Sequence, residues 1–423
     1  MASKRLHWID NLKVFLSLIV VIHHCGRAYG TWTGWWFIKE EITTGIITPF
    51  FAIDAAFLMS IFFFLAAYFM PGTYDRKGQP TFGSDRNKRL LIPLIFFLLV
   101  VMPIQTYFYY IHFRGYEYLN FFEYYILVYF GIGGQPSGWT GPNWPDLNLG
   151  HIWFLEHLLF YGLFYVLIKE QQKKKAKSRA KYQNIEEDVI ENKNIQLRQT
   201  IRLKTTHLKS INLKSIRFPK TSELIALSVL LGIVTFVVRI WHPFNEWTAF
   251  LYVYQVEWGH WPHYLVFVLL GIAAYRHGWL KKENFARIAP FWILISVICL
   301  TLFIITSIYV PIDSNYLQGG FTWTSLVYSV IEVFFLMGMF VSLIYAFQKY
   351  FDSSSKPSKF LSKHSYLVYL FHQPVVILVQ YALFGLNFHP FYKFLLTISI
   401  GLPLSFFVAW LIKKTVPYAR KYL

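Results

Sequence analysis

Cysteine is nearly absent: Cys25 and Cys299 are the only two in 423 residues, far apart and inside apolar stretches, so no disulfide framework is implied. Cys25 follows His24 directly, and neighbours on a helix point about 100° apart, which argues against a cysteine–histidine catalytic pair and for a packed, inert thiol. There is no Cys-x-x-Cys pair, and the adjacent His23 and His24 cannot chelate from one helix face as an i, i+4 pair would. Metal binding is therefore not expected despite 14 histidines. No glycine-rich phosphate loop follows a strand, which excludes a nucleotide-hydrolysing motor. Charge is scarce as well. Charged residues make up 15% of the chain, where a soluble domain carries about a quarter.

What replaces charge is apolar surface, with 55% of residues hydrophobic and 20% aromatic. This composition marks an integral membrane protein. Apolar runs of spanning length occur at about 9–29, 46–70, 90–112, 151–168, 222–241, 261–277, 289–310, 322–347, 364–385 and 392–412, which predicts an all-α bundle of about ten transmembrane helices. The first run carries Lys13, His23, His24 and Arg27 and lacks a small-residue cleavage site, so it is expected to be retained rather than removed as a signal peptide. The net charge of +18 comes from Lys and Arg concentrated in every second connection, as topology signals are, and not from a nucleic-acid-binding face. Those connections include Arg76 to Arg89, the stretch from Lys281 to Arg287, and Lys349 to Lys363, whereas the intervening ones hold little more than Lys39 and Arg114. The positive-inside rule then places both termini in the cytoplasm.

Two segments stand outside the spans. Residues 119–132 are aromatic but short and run into a stretch rich in Gly and Pro, as an interfacial or re-entrant element on the outer face would. The insert at about 169–221 is basic, with 15 Lys or Arg against five acids between Lys169 and Lys220. It reads as a linker whose second half suits an anionic membrane surface. The whole chain, 1–423, otherwise reads as a single transmembrane domain.

The first span carries the chemistry. Lys13 and His24 are 11 residues apart, close to three helical turns, so a helix puts both on one face about 16 Å apart along its axis. An ionisable group at membrane depth costs about 2.5 kcal/mol or more, and such groups usually face a wet cavity or a bundle interior. Arg86 and Arg89, three apart at the cytoplasmic entrance of the third span, project together and suit bidentate contact with phosphates, unless they only set topology. Asp54 and Glu156 are membrane-embedded acids able to hold an imidazole in one tautomer, or equally to pair with Arg27 or Arg239. Glu332 stands alone in its span and either pairs with Arg239 or serves a site. His23 reads as a helix–helix contact and His372, just before Pro374, as a hydrogen-bond donor at a kink. Trp139, Trp144, Trp247, Glu257 and Trp258 read as outer-face belt residues that could also meet a sugar.

The Lys13-x10-His24 spacing, Arg86-x-x-Arg89, His151-Ile-Trp-Phe-Leu155 and Tyr366-Leu-Val-Tyr-Leu-Phe-His372-Gln-Pro374 together resemble the acyltransferase-3 family of membrane O-acyltransferases across nearly the whole chain. Phe64-Leu-Ala-Ala-Tyr68 departs from the Ser-Gly pair often found in span two, and the insert is longer than usual. The resemblance implies transfer of an acyl group, often acetyl, from cytosolic acyl-CoA to an extracytoplasmic carbohydrate or glycolipid, in a bacterial cytoplasmic membrane. On that reading Lys13, Arg86 and Arg89 hold the phosphates of acyl-CoA, His24 is the general base, and Asp54 or Glu156 orients it. Acyl-CoA, the glycan acceptor and membrane lipids are then the partners. The competing reading is a transporter of a glycan or lipid-linked sugar, but the two halves share no broken-helix pattern, and His24 and Arg86 have no counterparts in the second half.

Overall fold

A computed structural model describes residues 6–31, 35–139, 144–191, 216–243, 246–250, 254–309 and 319–423. The apolar runs fold as helices because backbone polar groups in lipid must be satisfied within the segment. Helix α1 is His7–Gly26 and α2 is Thr48–Arg86, broken at Gly78, whose φ of 73° is the left-handed conformation that glycine adopts without a Cβ clash. The helical residues 87–113 form α3. Widened turns at Asn87–Leu91 and Phe97–Val101 precede the α-helical pieces Ile92–Phe96 and Met102–Phe113. Pro93 and Pro103 lie two residues past each widened turn, where a missing N–H and the ring's bulk disturb the regular ladder. A short helix α4, Phe121–Tyr124, is closed by an Asn120–Glu123 capping box. Then follow α5, Trp153–Glu191, and α6, Thr221–Arg239; the strands β1, Trp247–Phe250, and β2, Tyr254–Glu257; and α7, Trp261–His277. The chain finishes with α8, Lys282–Tyr309; α9, Trp323–Tyr350; α10, Lys356–Leu383; α11, Pro390–Thr415; and α12, Pro417–Tyr422.

The fold is an all-α polytopic membrane bundle. Among the described residues eight helical stretches are long and apolar enough to cross a membrane. One of them, Gly45–Phe113, contains 69 residues, which at 1.5 Å per residue is more than three times a hydrocarbon core of about 30 Å. It encompasses two of the expected runs. The run expected at 261–277 is α7, at 17 residues the short end of the spanning range. Helix α1 is central and packs against α2, α9, α10 and α11. Its Val21 and Cys25 belong to one buried cluster with α3, α5 and α10, and its Leu12, Leu16 and Val20 to a second with α2, α7, α8 and α9. Gly271 lets α7 lie directly on α2, since a Cβ there would stand 2.4 Å from the Phe64 carbonyl oxygen.

Two features depart from the sequence reading. The insert begins as a continuation of α5 to Glu191 rather than as a linker, while 192–215 lies outside the described residues. The strands β1 and β2 form an antiparallel hairpin between the runs expected at 222–241 and 261–277, in a chain read as all-α. The segment 119–132 is short helix and turn, tied down by a buried ion pair between Arg114 and Asp146 at 2.8 Å.

Candidate active site

A cavity of about 510 Å³ opens at the end of the bundle where α1 finishes and α2 and α5 begin. His23, His24 and Arg27 enter it from the last turn of α1, Asp54 from α2, His151 and Trp153 from the start of α5, Gln373 from α10, and Glu257, His260 and Tyr264 from the hairpin and α7.

The His24 side chain meets His372, not an acid: His24 Nδ1 and His372 Nε2 are 2.8 Å apart. The neighbours of His372 settle which nitrogen carries hydrogen. His372 Nδ1 faces the carbonyl oxygens of Tyr369 at 2.8 Å and Val368 at 3.1 Å, and carbonyls only accept, so Nδ1 is the N–H. In the neutral ring Nε2 is then an acceptor, and His24 Nδ1 must donate to it. His24 Nε2 is left with the lone pair, the form a general base needs. Two turns further along α10, the Gln380 amide donates to the His24 and Cys25 carbonyls at 2.9 and 3.1 Å. Those oxygens lie in the last turn of α1, where intrahelical partners run out. Gln380 is itself held by the Trp36 indole N–H at 2.7 Å. One face of α10 therefore fixes both backbone and side chain of His24.

The acids expected to orient His24 bond elsewhere. Asp54 Oδ2 lies 2.8 Å from His23 Nδ1, so it is the adjacent histidine, pointing away from His24, that has a carboxylate partner. Glu156 accepts the backbone N–H of Gln255 at 3.1 Å and ties β2 to α5. Glu332 is paired with Arg239 at 2.6 Å, one of the two readings open to it. The Cys25 thiol is buried and faces the Thr397 carbonyl at 3.7 Å, a packed thiol as expected.

Lys13, Arg86 and Arg89 do not line this cavity. The Lys13 ammonium lies over the Phe69 ring at 4.3 Å. Arg86 lies over the Phe82 ring, donates to the Leu158 carbonyl at 2.8 Å, and crosses Gly162, where a Cβ would be 2.8 Å from its guanidinium carbon. Arg89 is exposed and donates through Nε to the Tyr422 carbonyl at 2.9 Å. The two arginines thus take separate backbone partners rather than forming one clamp.

His260, His263 and Glu332 lie close enough to share a cation. Arg239 already supplies the positive charge on Glu332, and His263 Nε2 is engaged with the Thr235 hydroxyl at 2.9 Å. The group is organised as an ion-pair chain.

A base-competent histidine in a cavity of a membrane bundle fits acyl transfer, and a family model for an acyltransferase domain matches residues 6–414. The chain belongs to the acyltransferase-3 family. No curated protein and no solved structure matches it. This membrane acyltransferase, which moves groups other than amino-acyl groups, therefore meets an acceptor substrate and lipids. His372 is the residue that reading the sequence set aside. The only signal for it was its place in the Tyr366–Pro374 motif.

Proposed function

We propose that this acyltransferase moves an acyl group, with acetyl the simplest case, from cytosolic acyl-CoA to a hydroxyl of a carbohydrate or glycolipid on the other side of a bacterial cytoplasmic membrane. The observation that carries it is the 2.8 Å contact between His24 and His372, which leaves a basic nitrogen available in a cavity. The acceptor hydroxyl gives its proton to His24 Nε2 as its oxygen attacks the thioester carbonyl carbon. The tetrahedral adduct then collapses, the C–S bond breaks, and the imidazolium returns the proton to the leaving thiolate. Arg27, which lines the same cavity, is the cation proposed to stabilise the developing oxyanion. His24 lies about 26 Å along the axis from the start of α1, past the middle of a 30 Å core, and Lys13 about 9 Å along it. Lys13, Arg86 and Arg89 are the proposed holders of the acyl-CoA phosphates on the cytoplasmic side. In this scheme Arg86 and Arg89 exchange their backbone carbonyls for phosphate oxygens, which are stronger acceptors.

The test is transfer of radiolabelled acetyl from acetyl-CoA by membranes of expressing cells, together with mass spectrometry of surface glycans from a deletion strain. A lost acyl increment in the deletion strain, restored by the wild-type gene and not by His24→Ala, is expected. Identical glycans in all three strains, with no transfer from acetyl-CoA, would overturn it.

A further inference from the structure

Four ionisable side chains outside that reaction form a line that ends in the cavity wall. Arg239, at the last turn of α6, pairs through Nη1 with Glu332 Oε2 at 2.6 Å. The other oxygen of Glu332 accepts from His260 Nε2 at 2.7 Å, and His260 Nδ1 lies 2.9 Å from Glu257 Oε1. The remaining oxygen of Glu257 accepts the Tyr264 hydroxyl at 2.7 Å. Both ring nitrogens of His260 lie within ion-pair distance of carboxylates, surroundings that favour the imidazolium form. The line therefore alternates in sign from Arg239 to Glu257.

Burying four charges is costly, and the alternation is what compensates for it. Its product is one carboxyl group held in fixed orientation at the cavity: the side chains of Arg239, Glu332 and His260 are at most 3% exposed, whereas that of Glu257 is 14% exposed. A carboxylate has about four acceptor sites and no hydrogen to give. His260 and Tyr264 occupy two of them, which leaves room for about two donors from a ligand.

The hairpin register supplies the second half of the site. Trp247 is the cross-strand partner of Glu257, so indole and carboxylate stand on one face of the hairpin, with Cβ atoms about 5 Å apart. Trp247 packs edge-on to Trp153 with ring centroids 5.2 Å apart, and both line the cavity beside Glu257. An indole face takes a flat array of C–H groups, while the carboxylate takes O–H donors. Arg27 lines the same cavity as Asp54 and Glu257, so the lining carries no single sign of charge and suits a neutral ligand. A neutral ring that carries neighbouring hydroxyls on its rim and C–H bonds on its face satisfies all three.

We propose that Glu257, Trp247 and Trp153 form a saccharide subsite, in which two adjacent hydroxyls of a pyranoside donate to the Glu257 carboxylate and the ring lies against the indoles. The binding claim stands by itself; that the bound ring is the acyl acceptor rests on the function proposed above.

The test uses the purified full chain in lipid nanodiscs and saturation-transfer NMR with methyl pyranosides of glucose, galactose and mannose as probes. Tetrahydropyran-2-methanol, which lacks the adjacent hydroxyls, is the control. At least one glycoside is expected to bind and the control not to. Glu257→Gln and Trp247→Ala should each weaken binding by roughly tenfold, the loss of one charge-assisted contact or one stacking face, and Trp247→Phe should recover most of it. Trp247 is 38% exposed, so its substitution tests the subsite even if Glu257→Gln unsettles the buried ion pairs. Absence of glycoside binding, equal binding of the control, or unchanged binding in the Trp247 and Glu257 variants overturns the subsite. Acetyl-CoA turnover in the same nanodiscs separates the two readings. Specific glycoside binding without turnover supports the subsite and removes acetyl-CoA as the donor, whereas turnover without glycoside binding removes the subsite alone.

Discussion

His372 Nε2 stands 2.8 Å from His24 Nδ1, and its own Nδ1 is committed to backbone carbonyls of α10. A buried carbonyl cannot change its role from acceptor to donor, so the tautomer of His24 is set by main chain two groups away. This is the task a carboxylate performs in a serine-protease triad, done here without placing a negative charge beside the proposed base.

Replacing His372 should therefore cost rate and not donor affinity. His372→Ala is expected to lower kcat for acyl transfer by about 10- to 100-fold with the Michaelis constant for acyl-CoA unchanged, a smaller loss than the 10²- to 10⁴-fold expected for His24→Ala. Steady-state kinetics with labelled acyl-CoA on equal amounts of membrane-inserted protein decides it. An unchanged kcat in His372→Ala would show that something else orients His24.

Asp54→Asn distinguishes the observed pairing from the one anticipated. Because Asp54 bonds His23, its loss is expected to lower thermal stability while leaving kcat per folded molecule well above that of His24→Ala. A kcat as low as that of His24→Ala, in a protein that still inserts normally, would return Asp54 to the role of orienting acid.

What could be read in advance follows what is local. The helices were legible because apolar runs of spanning length have few alternatives in lipid. The Lys13-x10-His24 spacing drew attention to a histidine that lines the cavity, although His23 lines it too and Lys13 does not, and it is His23 that meets Asp54 on α2, as a helix–helix contact would. The partner of His24 was not legible. His372 is 348 residues distant, and its more visible attribute, a position before Pro374, describes only the half of its ring that bonds Val368 and Tyr369. The hairpin escaped notice for a different reason. Trp247-Thr-Ala-Phe250 and Tyr254-Gln-Val-Glu257 are rich in aromatic and β-branched residues, but each strand has four residues, too few for a period-2 pattern to stand out.

The donor site can be probed without removing a charge. A Cβ at position 162 would collide with the Arg86 guanidinium, so Gly162→Ala should displace Arg86 while leaving it cationic. If Arg86 holds a donor phosphate, Gly162→Ala should raise the Michaelis constant for acyl-CoA several-fold, and Arg86→Ala with Arg89→Ala more than tenfold, at about 1.5–3 kcal/mol per charged contact. Donor titrations that coincide with wild type in both variants would reduce the arginine pair to a topology signal.

The last prediction concerns sidedness, on which transfer across the membrane depends. Helix α5 has 39 residues and would extend about 58 Å, nearly twice the hydrocarbon thickness, so its polar half must leave the bilayer. Ser178 lies in that half, among Lys173, Lys174, Lys175, Lys177 and Arg179, whereas Ser137 precedes the opposite end of the same helix. With Cys25 and Cys299 replaced, a cysteine at Ser137 should react with an impermeant thiol reagent in intact cells. Cysteines at Ser178 and Ser354 should react only after the cells are opened, because basic connections stay in the cytoplasm. Ser314 offers a second outer position in sequence, though it lies outside the described residues. Labelling of Ser178 and Ser137 from the same side would leave Arg86 and His24 with no membrane between them. Transfer from a cytosolic donor to an outer acceptor would then have no path, and a transporter would become the better account of the intramembrane charges.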